Sequence, residues 1–444
     1  MSRGLPGALA AALMLVSAPA WAAESRPADT GDTAFMLLCT VLVLLMTVPG
    51  LALFYGGMVR KKNILATMAQ SFMLCALITV VWVVVGYSLA FGNGIGLIGD
   101  FSRVMLAGME VDFDRAFTLG AGTGAEVALT IPESVFMLYQ LTFAIITPAV
   151  ITGAFADRMR FSALLVLMTL WSLVVYAPIA HWAWAPLGWL NQLGMADFAG
   201  GTVVEVNSGV AGLVCALVLG RRLGYGHDNM APYNLAYAVV GASLLWVGWL
   251  GFNGGSALAS GGRAGMAIVA TQVAAAGATL SWTLVEWLRH RRPTVLGAIS
   301  GAVAGLVAIT PAAGFVLPGS ALLIGLVAGA GCFWAVTILK VKLGYDDSLD
   351  AFGVHGVGGI IGMLATGLLA HGALSATEAA PAGVYQGGWA LLQVQALGVL
   401  AAAGWSAAGT YGLLKLTDFF TTLRVDPEQE RQGLDEALHG ESLG

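Results

Sequence analysis

The chain has 444 residues, of which 58% are hydrophobic and only 10% carry a charge. A soluble domain carries roughly 25% charged residues, so this composition excludes a soluble protein and indicates a polytopic membrane protein. The formal net charge is −5 and no basic patch is interleaved with aromatic residues, which excludes a nucleic-acid-binding protein. Glycine is abundant, with 60 residues, and small residues favour close packing between membrane helices.

The first 22 residues have the pattern of a removable signal peptide. Arg3 supplies a positive charge, residues 8–16 form an apolar core, and residues 20–22 are a small-x-small cleavage site. The alternative, an uncleaved first span, is disfavoured because the core is too short to cross a bilayer comfortably. Cleavage would leave the mature N-terminus outside the cytoplasm.

Apolar runs long enough to cross a bilayer, at ~20 residues per crossing, follow the signal segment. We predict eleven, near residues 34–57, 66–91, 133–155, 161–186, 201–220, 234–254, 266–288, 295–311, 320–339, 354–371 and 387–417. Basic residues concentrate in alternate connections, at positions 60–62, 158–160, 221–222, 289–292 and 340–342. Because Lys and Arg favour the cytoplasmic side, this alternation predicts an outside N-terminus and a cytoplasmic C-terminus.

The domain organisation follows from these spans. The long loop 92–132 is acidic on balance and is predicted to be a surface excursion. The membrane domain is predicted at 34–418, with one repeat at about 34–220, a second at about 234–371 and a final span at 387–417. Residues 419–444 are charged, and we expect a solvated, partly helical cytoplasmic tail.

Two patterns recur at an offset of five spans. Asp197 is followed eight residues later by Glu205, and Asp347 eight residues later by His355, with glycine four and seven positions beyond each ionisable residue. The second pattern relates two glycine-rich segments, residues 50–57 and residues 248–255. Because five is odd, the two halves have opposite orientations, as in transporters whose site lies at the repeat interface near the bilayer midplane.

Glu205 and His355 are the candidate centre of the protein. An ionisable residue inside a membrane span is costly and is usually functional, although a lone histidine is more often a packing residue. The repeat places the two side chains opposite each other, where an imidazole N–H can donate to a carboxylate. The groups would titrate as a coupled pair, and we expect them to line a pore.

Other kinds of site are disfavoured by the sequence. One histidine and one glutamate are too few ligands for a metal site, and neither a Ser-His-Asp nor a Cys-His arrangement occurs at recognisable spacing. The four cysteines lie in apolar runs without CxxC spacing and are expected to be buried free thiols. We therefore expect no enzymatic activity, no metal and no cofactor.

Aromatic residues cluster near the predicted outer ends of several spans. The cluster comprises Tyr139, Phe143, Tyr176, Trp182, Trp184, Trp189, Trp249 and Phe252. An interfacial belt against lipid headgroups and a cage that attracts a small cation through its π faces are both compatible with this pattern.

Four segments carry a resemblance to a known family. They are FYGGMVRKKN from Phe54, DFAGGTVV from Asp197, GWLGFNGGS from Gly248 and DAFGVHGV from Asp350. In this order they resemble the ammonium transporter (Amt/Mep/Rh) family, in its bacterial Amt branch, and the similarity extends from about Ala34 to Gly440. The resemblance implies eleven helices with a 5+5 inverted repeat, assembled as a homotrimer in the bacterial inner membrane with one pore per subunit.

The resemblance also implies roles at the outer end of the pore. Trp184, Ser256 and Phe143 match an outer vestibule that recruits ammonium by cation–π contact and a hydroxyl acceptor. Phe143 and Phe252 match a stacked pair that closes the pore. Tyr139 occupies a vestibule position where phenylalanine is common, which keeps the π face and adds a hydroxyl.

Further roles concern the pore wall and its support. Trp249 resembles a pore-wall tryptophan. Asp197 matches an acidic residue beneath the recruitment site that acts by ordering backbone carbonyls, and helix capping is compatible with that role. Asp347 is its counterpart in the second repeat. Glu205 departs from the midpore histidine that many members carry, although some fungal Mep proteins have glutamate there.

The function implied by the resemblance is transport of ammonium, with methylammonium as a further substrate. The Glu205–His355 pair adds the hypothesis that uptake begins with capture and deprotonation of NH4+ and is electrogenic. A direct cation path eased by the carboxylate is a second version of this hypothesis.

The tail from Leu423 to Asp435 resembles a segment that couples subunits and supports docking of a PII-type signal protein. An ammonium sensor with little flux and an Rh-like neutral gas channel are the alternatives.

Overall fold

The computed structural model describes residues 26–109, 113–374 and 382–443. The predicted signal peptide, residues 1–22, lies outside the described residues. Within the described residues, ten helices are long and apolar enough to cross a membrane, and a further apolar helix, Val295–Ile309, is shorter. The predicted all-helical membrane fold is confirmed, while the count of eleven crossings and the orientation in the membrane stay predictions.

The helices follow one another in the order that the apolar runs predict. They are α1 (Thr30–Met58), α2 (Lys61–Phe91), α3 (Glu133–Phe155), α4 (Phe161–Gln192), α5 (Gly201–Leu219), α6 (Leu235–Gly255), α7 (Gly262–His290), α8 (Val295–Ile309), α9 (Pro318–Leu343), α10 (Phe352–Leu369) and α11 (Trp389–Phe420). α9 continues through Lys340 and Lys342, which the apolar pattern placed in a connection. A helix can extend past its apolar run because lysine side chains reach towards water.

The long loop between α2 and α3 folds over one end of the helices. It contains a two-stranded antiparallel sheet, β1 (Thr118–Leu119) and β2 (Val127–Ala128). Trp182 of α4 holds the loop by donating a hydrogen bond from Nε1 to the Leu97 carbonyl at 2.8 Å. We call this end of the molecule the loop face, and the opposite end, which carries the C-terminal tail, the tail face.

Basic residues from alternate connections converge on the tail face. Arg222 donates to both carboxylate oxygens of Asp346, at 2.9 and 2.8 Å. It also lies 3.6 Å from Asp157, which binds Arg60 at 3.1 Å. Burial disfavours the charged form of Asp346, but the hydrogen bonds and charge of Arg222 outweigh burial and hold the pKa of that carboxyl below its usual value. The network ties together four connections at one end of the helices.

The C-terminal tail is partly helical, and it is docked on the tail face instead of being solvated on all sides. Its two short helices are α12 (Pro427–Gln432) and α13 (Leu434–His439). The Asp435 carboxylate, 3% exposed, accepts hydrogen bonds from the backbone N–H groups of Leu65 and Ala66 at 3.1 and 2.8 Å. These groups lie near the start of α2, where N–H groups lack partners within the helix. The tail therefore caps a membrane helix.

Among the π-helical turns of the described residues, those in α1 and α2 have no counterpart five spans later, but two pairs recur at that offset. The recurring pairs lie at Ser172–Tyr176 in α4 and Ala335–Leu339 in α9, and at Gly201–Val206 in α5 and Phe352–Gly356 in α10. Such turns widen a helix locally and are frequent at functional sites. Glu205 and His355 each fall within the turn that begins its helix.

α5 and α10 approach each other closely at two glycines. A Cβ atom added to Gly209 would collide with the backbone of Gly356, and one added to Gly359 would lie 3.0 Å from the backbone nitrogen of Val206. Gly209 and Gly359 each stand four positions beyond the ionisable residue of their helix, and Gly356 and Val206 one position beyond. The repeat that relates α5 to α10 therefore also relates the first of these contacts to the second. This supports the proposed inverted duplication.

A candidate pore for a small cation

The Glu205 and His355 side chains meet where α5 and α10 approach each other. His355 Nδ1 lies 2.7 Å from Glu205 Oε2, and both residues are buried, with exposed fractions of 5% and 0%. Glu205 Oε1 has no hydrogen-bond partner among the described residues. One carboxylate oxygen is therefore satisfied by the imidazole, and the other is left for a ligand or a proton.

Asp197 orders the first turn of α5. Its carboxylate accepts hydrogen bonds from the backbone N–H groups of Gly200, Gly201 and Thr202, at 2.9, 2.5 and 2.7 Å. Gly200 has a φ of 111°, a conformation that favours glycine, and this turns the chain back onto the carboxylate. The Asp197 carbonyl oxygen accepts a hydrogen bond from Trp184 Nε1 at 2.9 Å. Asp197 thus holds the helix start and the indole together.

Asp347 does the same for the first turn of α10. Its carboxylate accepts hydrogen bonds from the backbone N–H groups of Ala351 and Phe352, at 3.1 and 2.8 Å. Lys340 Nζ donates to the Asp347 carbonyl at 2.6 Å and to the Asp350 carboxylate at 2.7 Å. The capping arrangement of the first repeat therefore recurs in the second, with a lysine in place of the indole.

A cavity of about 90 Å³ opens at the loop face. We call it the loop-face cavity; its lining residues are Phe91, Leu119, Phe136, Gln140, Phe143, Trp184, Phe198, Ser256 and Leu258. The ring of Phe143 stands edge-on to that of Trp184, with centroids 5.5 Å apart. The walls are mostly aromatic, and Gln140 and Ser256 supply the polar side chains.

The indole and hydroxyl donors beside this cavity are already engaged. The Trp184 N–H donates to the Asp197 carbonyl, as described above. The Ser256 hydroxyl donates to the Phe252 carbonyl at 2.8 Å, and the Tyr139 hydroxyl donates to the same carbonyl at 2.6 Å. The Trp184 indole and the Ser256 hydroxyl consequently present a π face and oxygen lone pairs to the cavity, which suits a small cation that carries its own N–H donors.

Phe143 and Phe252 separate this cavity from the next one. Their ring centroids lie 4.3 Å apart at an interplanar angle of 34°. Phe143 borders the loop-face cavity, whereas Phe252 borders a second cavity deeper in the molecule. The two tilted rings lie between the two cavities in this structure.

The second cavity, which we call the central cavity, is narrow and apolar. Its volume is about 10 Å³, close to the minimum that holds a single water molecule. It is lined by Leu51, Phe54, Ile146, Val150, Val204, Glu205, Leu245, Trp249, Phe252, Val303 and His355. Trp249 donates its indole N–H to Thr310 Oγ1 at 2.8 Å. Glu205 and His355 are therefore the ionisable groups that a solute would meet here.

A third cavity, of about 150 Å³, opens towards the tail face. His355, Phe54 and Val303 line both this tail-face cavity and the central cavity. Asp350 adds a carboxylate to its wall. The three cavities mark a candidate path across the helical domain, with the phenylalanine pair between the first two and His355 between the last two.

The sequence matches the model of the Ammonium Transporter Family over residues 34–443. This chain belongs to that family. The ammonium transporter of Bacillus subtilis is 49% identical over 413 residues, covering 93% of this chain and 98% of that protein. The family comprises transporters, not enzymes, and this confirms the expectation that the chain is not an enzyme.

Solved structures of family members have the same fold. The crystal structure of Saccharomyces cerevisiae Mep2 gives a TM-score of 0.82 at 37% identity, covering 90% of this chain and 89% of that chain. A structure described as a sensor Amt protein gives a TM-score of 0.82 at 29% identity, covering 92% of this chain and 98% of that chain. The fold is therefore shared with Mep2 and with a protein described as a sensor.

Most residues predicted from the family resemblance lie along the path. Trp184, Phe143 and Ser256 line the loop-face cavity. Phe252, Trp249, Glu205 and His355 line the central cavity. Asp197 and Asp347 instead bind backbone N–H groups at the starts of α5 and α10. The structure brings the first seven together and places the two aspartates as supports.

Tyr139 lies behind the phenylalanine pair and is not among the residues that line the loop-face cavity. It is 1% exposed, and its ring packs against Phe143 with centroids 5.0 Å apart. Its hydroxyl is bound to the Phe252 carbonyl. The Tyr139 hydroxyl therefore supplies a hydrogen bond that holds α3 against α6.

Several lining residues were missed from the sequence. Gln140 is a polar residue inside an apolar span, and this signal pointed to a functional position. Leu119, Phe198 and Leu258 reach the cavity from connecting segments, and nothing in their local sequence indicates this. The aromatic cluster lies largely inside the protein; Tyr176, for example, is 1% exposed. Its buried members are therefore not an interfacial belt.

Proposed function

We propose that this chain carries ammonium across the cell membrane, entering from the loop face and leaving at the tail face. The observation that supports this most directly is the alignment of an aromatic cavity, a phenylalanine pair and a buried Glu205–His355 pair on one path. The path starts in the aromatic loop-face cavity, where a cation is favoured. It narrows in the apolar central cavity, where a cation is disfavoured. Such a sequence of environments suits a substrate that arrives charged and changes its protonation state.

Recruitment takes place in the loop-face cavity. Phe143 and Trp184 present π faces to NH4+, and Ser256 Oγ accepts a hydrogen bond because its own proton is committed to the Phe252 carbonyl. Asp197 contributes indirectly, since it holds the indole of Trp184 through its carbonyl. Methylammonium fits the same site because it keeps three N–H donors and a positive charge.

Passage to the central cavity requires the rings of Phe143 and Phe252 to move apart. Their centroids are 4.3 Å apart in the closed arrangement, and a rotation of either ring about its side-chain torsions opens the path. Tyr139 limits this movement by packing on Phe143 and binding the Phe252 backbone. The pair acts as a gate that admits one small molecule at a time.

Proton transfer occurs at the Glu205–His355 pair. When Glu205 is ionised, His355 Nδ1–H donates to it, which leaves Nε2 with a free lone pair. NH4+ gives a proton to Nε2, the N–H electron pair stays on nitrogen, and NH3 is released into the apolar cavity. The imidazolium can then pass its Nδ1 proton to the carboxylate, so the pair stores and returns one proton.

The net result is electrogenic transport. His355 borders both the central cavity and the tail-face cavity, so the proton and NH3 can recombine to NH4+ at the tail face. One positive charge then crosses with each nitrogen atom. In the second version of this proposal, NH4+ passes intact, stabilised by the ionised Glu205.

Further proposals concern the cellular setting. The tail face is cytoplasmic, because the basic connections converge there, and the membrane is the bacterial inner membrane. The functional unit is a homotrimer with one pore per subunit. A PII-type signal protein docks at the tail face, and a pull-down with and without residues 418–444 tests this partner.

A sensor function is the second candidate, favoured by the likeness to the sensor Amt protein. Growth rescue of a transporter-deficient strain on low ammonium separates the two functions. A transporter restores growth, and His355→Ala at equal expression in the membrane does not. Expression of the wild-type chain without rescue, together with ammonium binding to the purified protein, would favour the sensor and contradict the transporter.

A further inference from the structure

A cavity of about 480 Å³ lies at the side of the helical domain, apart from the candidate path. We call it the side groove. Its walls come from the tail-face halves of α1 and α2, the start of α4 and the C-terminal tail, and they include Ala52, Ala69, Phe161 and His439. The side groove is larger than each of the three cavities on the path, and the proposed transport does not use it.

The side groove lies beside a kink in α1. Val48 has a φ of −129° and a ψ of 105°, which are not helical values, and Pro49 follows it inside the helix. Proline has no N–H to donate to the preceding turn and is a regular cause of helix kinks. Ala52 and Ala69 line the groove with side chains that end at Cβ. The kink and the two small residues leave a space between α1 and α2.

The lining of the side groove restricts what can occupy it. Among the described residues that line it, His439 alone has a polar side chain. Water and small ions need several polar partners, so they are poor occupants. α1 and α2 are membrane-spanning helices, and Phe72, which also lines the groove, is 63% exposed. The groove is therefore open sideways, where the surrounding medium is the hydrocarbon of the bilayer.

Basic residues near the tail face indicate which kind of lipid fits the side groove. His439 lines the groove, and Arg160, which is half-buried, directly precedes Phe161 at the start of α4. A lipid whose acyl chain lies in the groove would bring its headgroup towards these side chains. Because basic side chains form strong hydrogen bonds with phosphate, a phospholipid is the matching ligand.

The C-terminal tail takes part in the side groove through α13. The ring of His439, at the end of α13, stands edge-on to Phe161 with centroids 5.1 Å apart. Asp435, one turn earlier, holds α13 in place by binding the backbone N–H groups of Leu65 and Ala66. A ligand in the groove would therefore contact both the membrane helices and the docked tail.

We propose that the side groove binds one acyl chain of a membrane phospholipid, and that the bound lipid and the docked tail stabilise each other. The docked tail supplies the wall at His439, so release of the tail removes contacts from the lipid. A lipid that binds more tightly when the tail is docked must favour docking by the same factor. The proposal does not depend on which species the protein transports.

Photo-crosslinking in a bilayer tests lipid binding. The full chain is reconstituted in vesicles of phosphatidylethanolamine and phosphatidylglycerol that contain a trace of phosphatidylglycerol with a diazirine in one acyl chain. Met68 and Met73 line the side groove and are partly buried, whereas Leu400 of α11 does not line it and is 71% exposed. A lipid bound in the groove labels the two methionines more than Leu400, as measured by mass spectrometry.

Two results of this experiment would overturn the proposal. Lipid that merely surrounds the protein labels the exposed Leu400 more than the partly buried methionines. A second copy of this chain that covers the side groove leaves Met68 and Met73 unlabelled.

Ala69→Phe and Ala76→Phe are a matched pair of variants. Ala69 lines the side groove, and a phenyl ring there fills part of the space. Ala76 lies about two turns further along α2, is exposed and does not line the groove. Labelling of Met68 and Met73 relative to Leu400 should fall at least about fivefold in Ala69→Phe, because overpacking opposes binding, and stay at the wild-type level in Ala76→Phe. Equal labelling in the two variants would contradict binding in the groove.

Asp435→Ala tests the link between the lipid and the tail. Release of the tail should lower the labelling of Met68 and Met73 at least about fivefold, the lower end of typical coupling between two sites. Glu436→Ala, at the exposed neighbouring position, should leave the labelling unchanged. Wild-type labelling in Asp435→Ala, measured on protein whose tail is cut faster by protease, would show that lipid and tail bind independently and would overturn the coupling.

Discussion

His355 Nδ1 lies 2.7 Å from Glu205 Oε2, and each of these residues belongs to the first π-helical turn of its helix. One partner comes from each half of the proposed repeat. The pair can form because Gly209 and Gly359 allow the two helices to approach closely. Replacing either side chain therefore alters a contact between the halves as well as the local chemistry.

Replacing Glu205 by glutamine should reduce the ammonium-evoked current at least about tenfold, since loss of a proton-transfer group commonly costs 10²–10⁴-fold. Glutamine preserves the volume and can still bind His355, but it cannot take up a proton. The measurement is the peak current of reconstituted protein after an ammonium pulse. Trp184→Phe is the matched comparison and should have a smaller effect, because it keeps a π face. Equal currents in Glu205→Gln and wild type would contradict a role of the carboxyl in proton transfer.

Asp197→Asn and Asp347→Asn should both destabilise the protein, by about 1–2 kcal/mol each, because each aspartate accepts backbone N–H groups with both oxygens and asparagine replaces one of these acceptors by an NH2 group. Only Asp197→Asn should also raise the apparent KM for ammonium, since only Asp197 is linked to the cavity indole, through its carbonyl. Thermal unfolding in detergent and the concentration dependence of uptake are the measurements. The same KM shift in both variants would show that helix capping alone accounts for the effect.

Tyr139→Phe should leave the apparent KM for ammonium nearly unchanged. The hydroxyl is bound to the backbone of Phe252 at 2.6 Å, and Tyr139 is not among the residues that line the cavity. Loss of that hydrogen bond should lower stability by about 1 kcal/mol. A several-fold rise in KM without loss of thermal stability would place the hydroxyl in the recruitment site. That result would contradict the location of Tyr139 behind the phenylalanine pair.

Asp435→Ala should release the tail from the tail face. The carboxylate binds the N–H groups of Leu65 and Ala66, and loss of such a cap costs about 1 kcal/mol. Limited proteolysis should cut the tail faster than in wild type. Glu436→Ala, at the exposed neighbouring position, serves as the control and should be cut at the wild-type rate. Equal cutting of the two variants would mean that Asp435 does not anchor the tail.

The order of the helices could be predicted because hydropathy summed over a span of ~20 residues reports burial in the membrane whatever the neighbours are. The contact between Glu205 and His355 could be predicted as well, because two patterns at one offset imply inverted halves. The π-helical turns at both residues could not be predicted, since they depend on how the first turn is held by Asp197 and Asp347.

Contacts between distant segments are the part that the sequence leaves open. Gln140 and Phe198 share one cavity only because a helix and a connecting segment fold against each other. The charge of the tail suggested exposure to water, yet Asp435 is buried because backbone N–H groups at the start of α2 donate hydrogen bonds to its carboxylate. In both cases the deciding partner lies far away in the chain.

Electrogenic transport is the central claim, and charge and nitrogen measured together in proteoliposomes test it most directly. After an ammonium pulse, vesicles with the wild-type protein should give a saturable inward current, and ammonium should accumulate inside with the same concentration dependence. Vesicles without protein should give neither signal. Uptake of nitrogen at the wild-type rate without any current would contradict the claim and leave a pore for neutral ammonia.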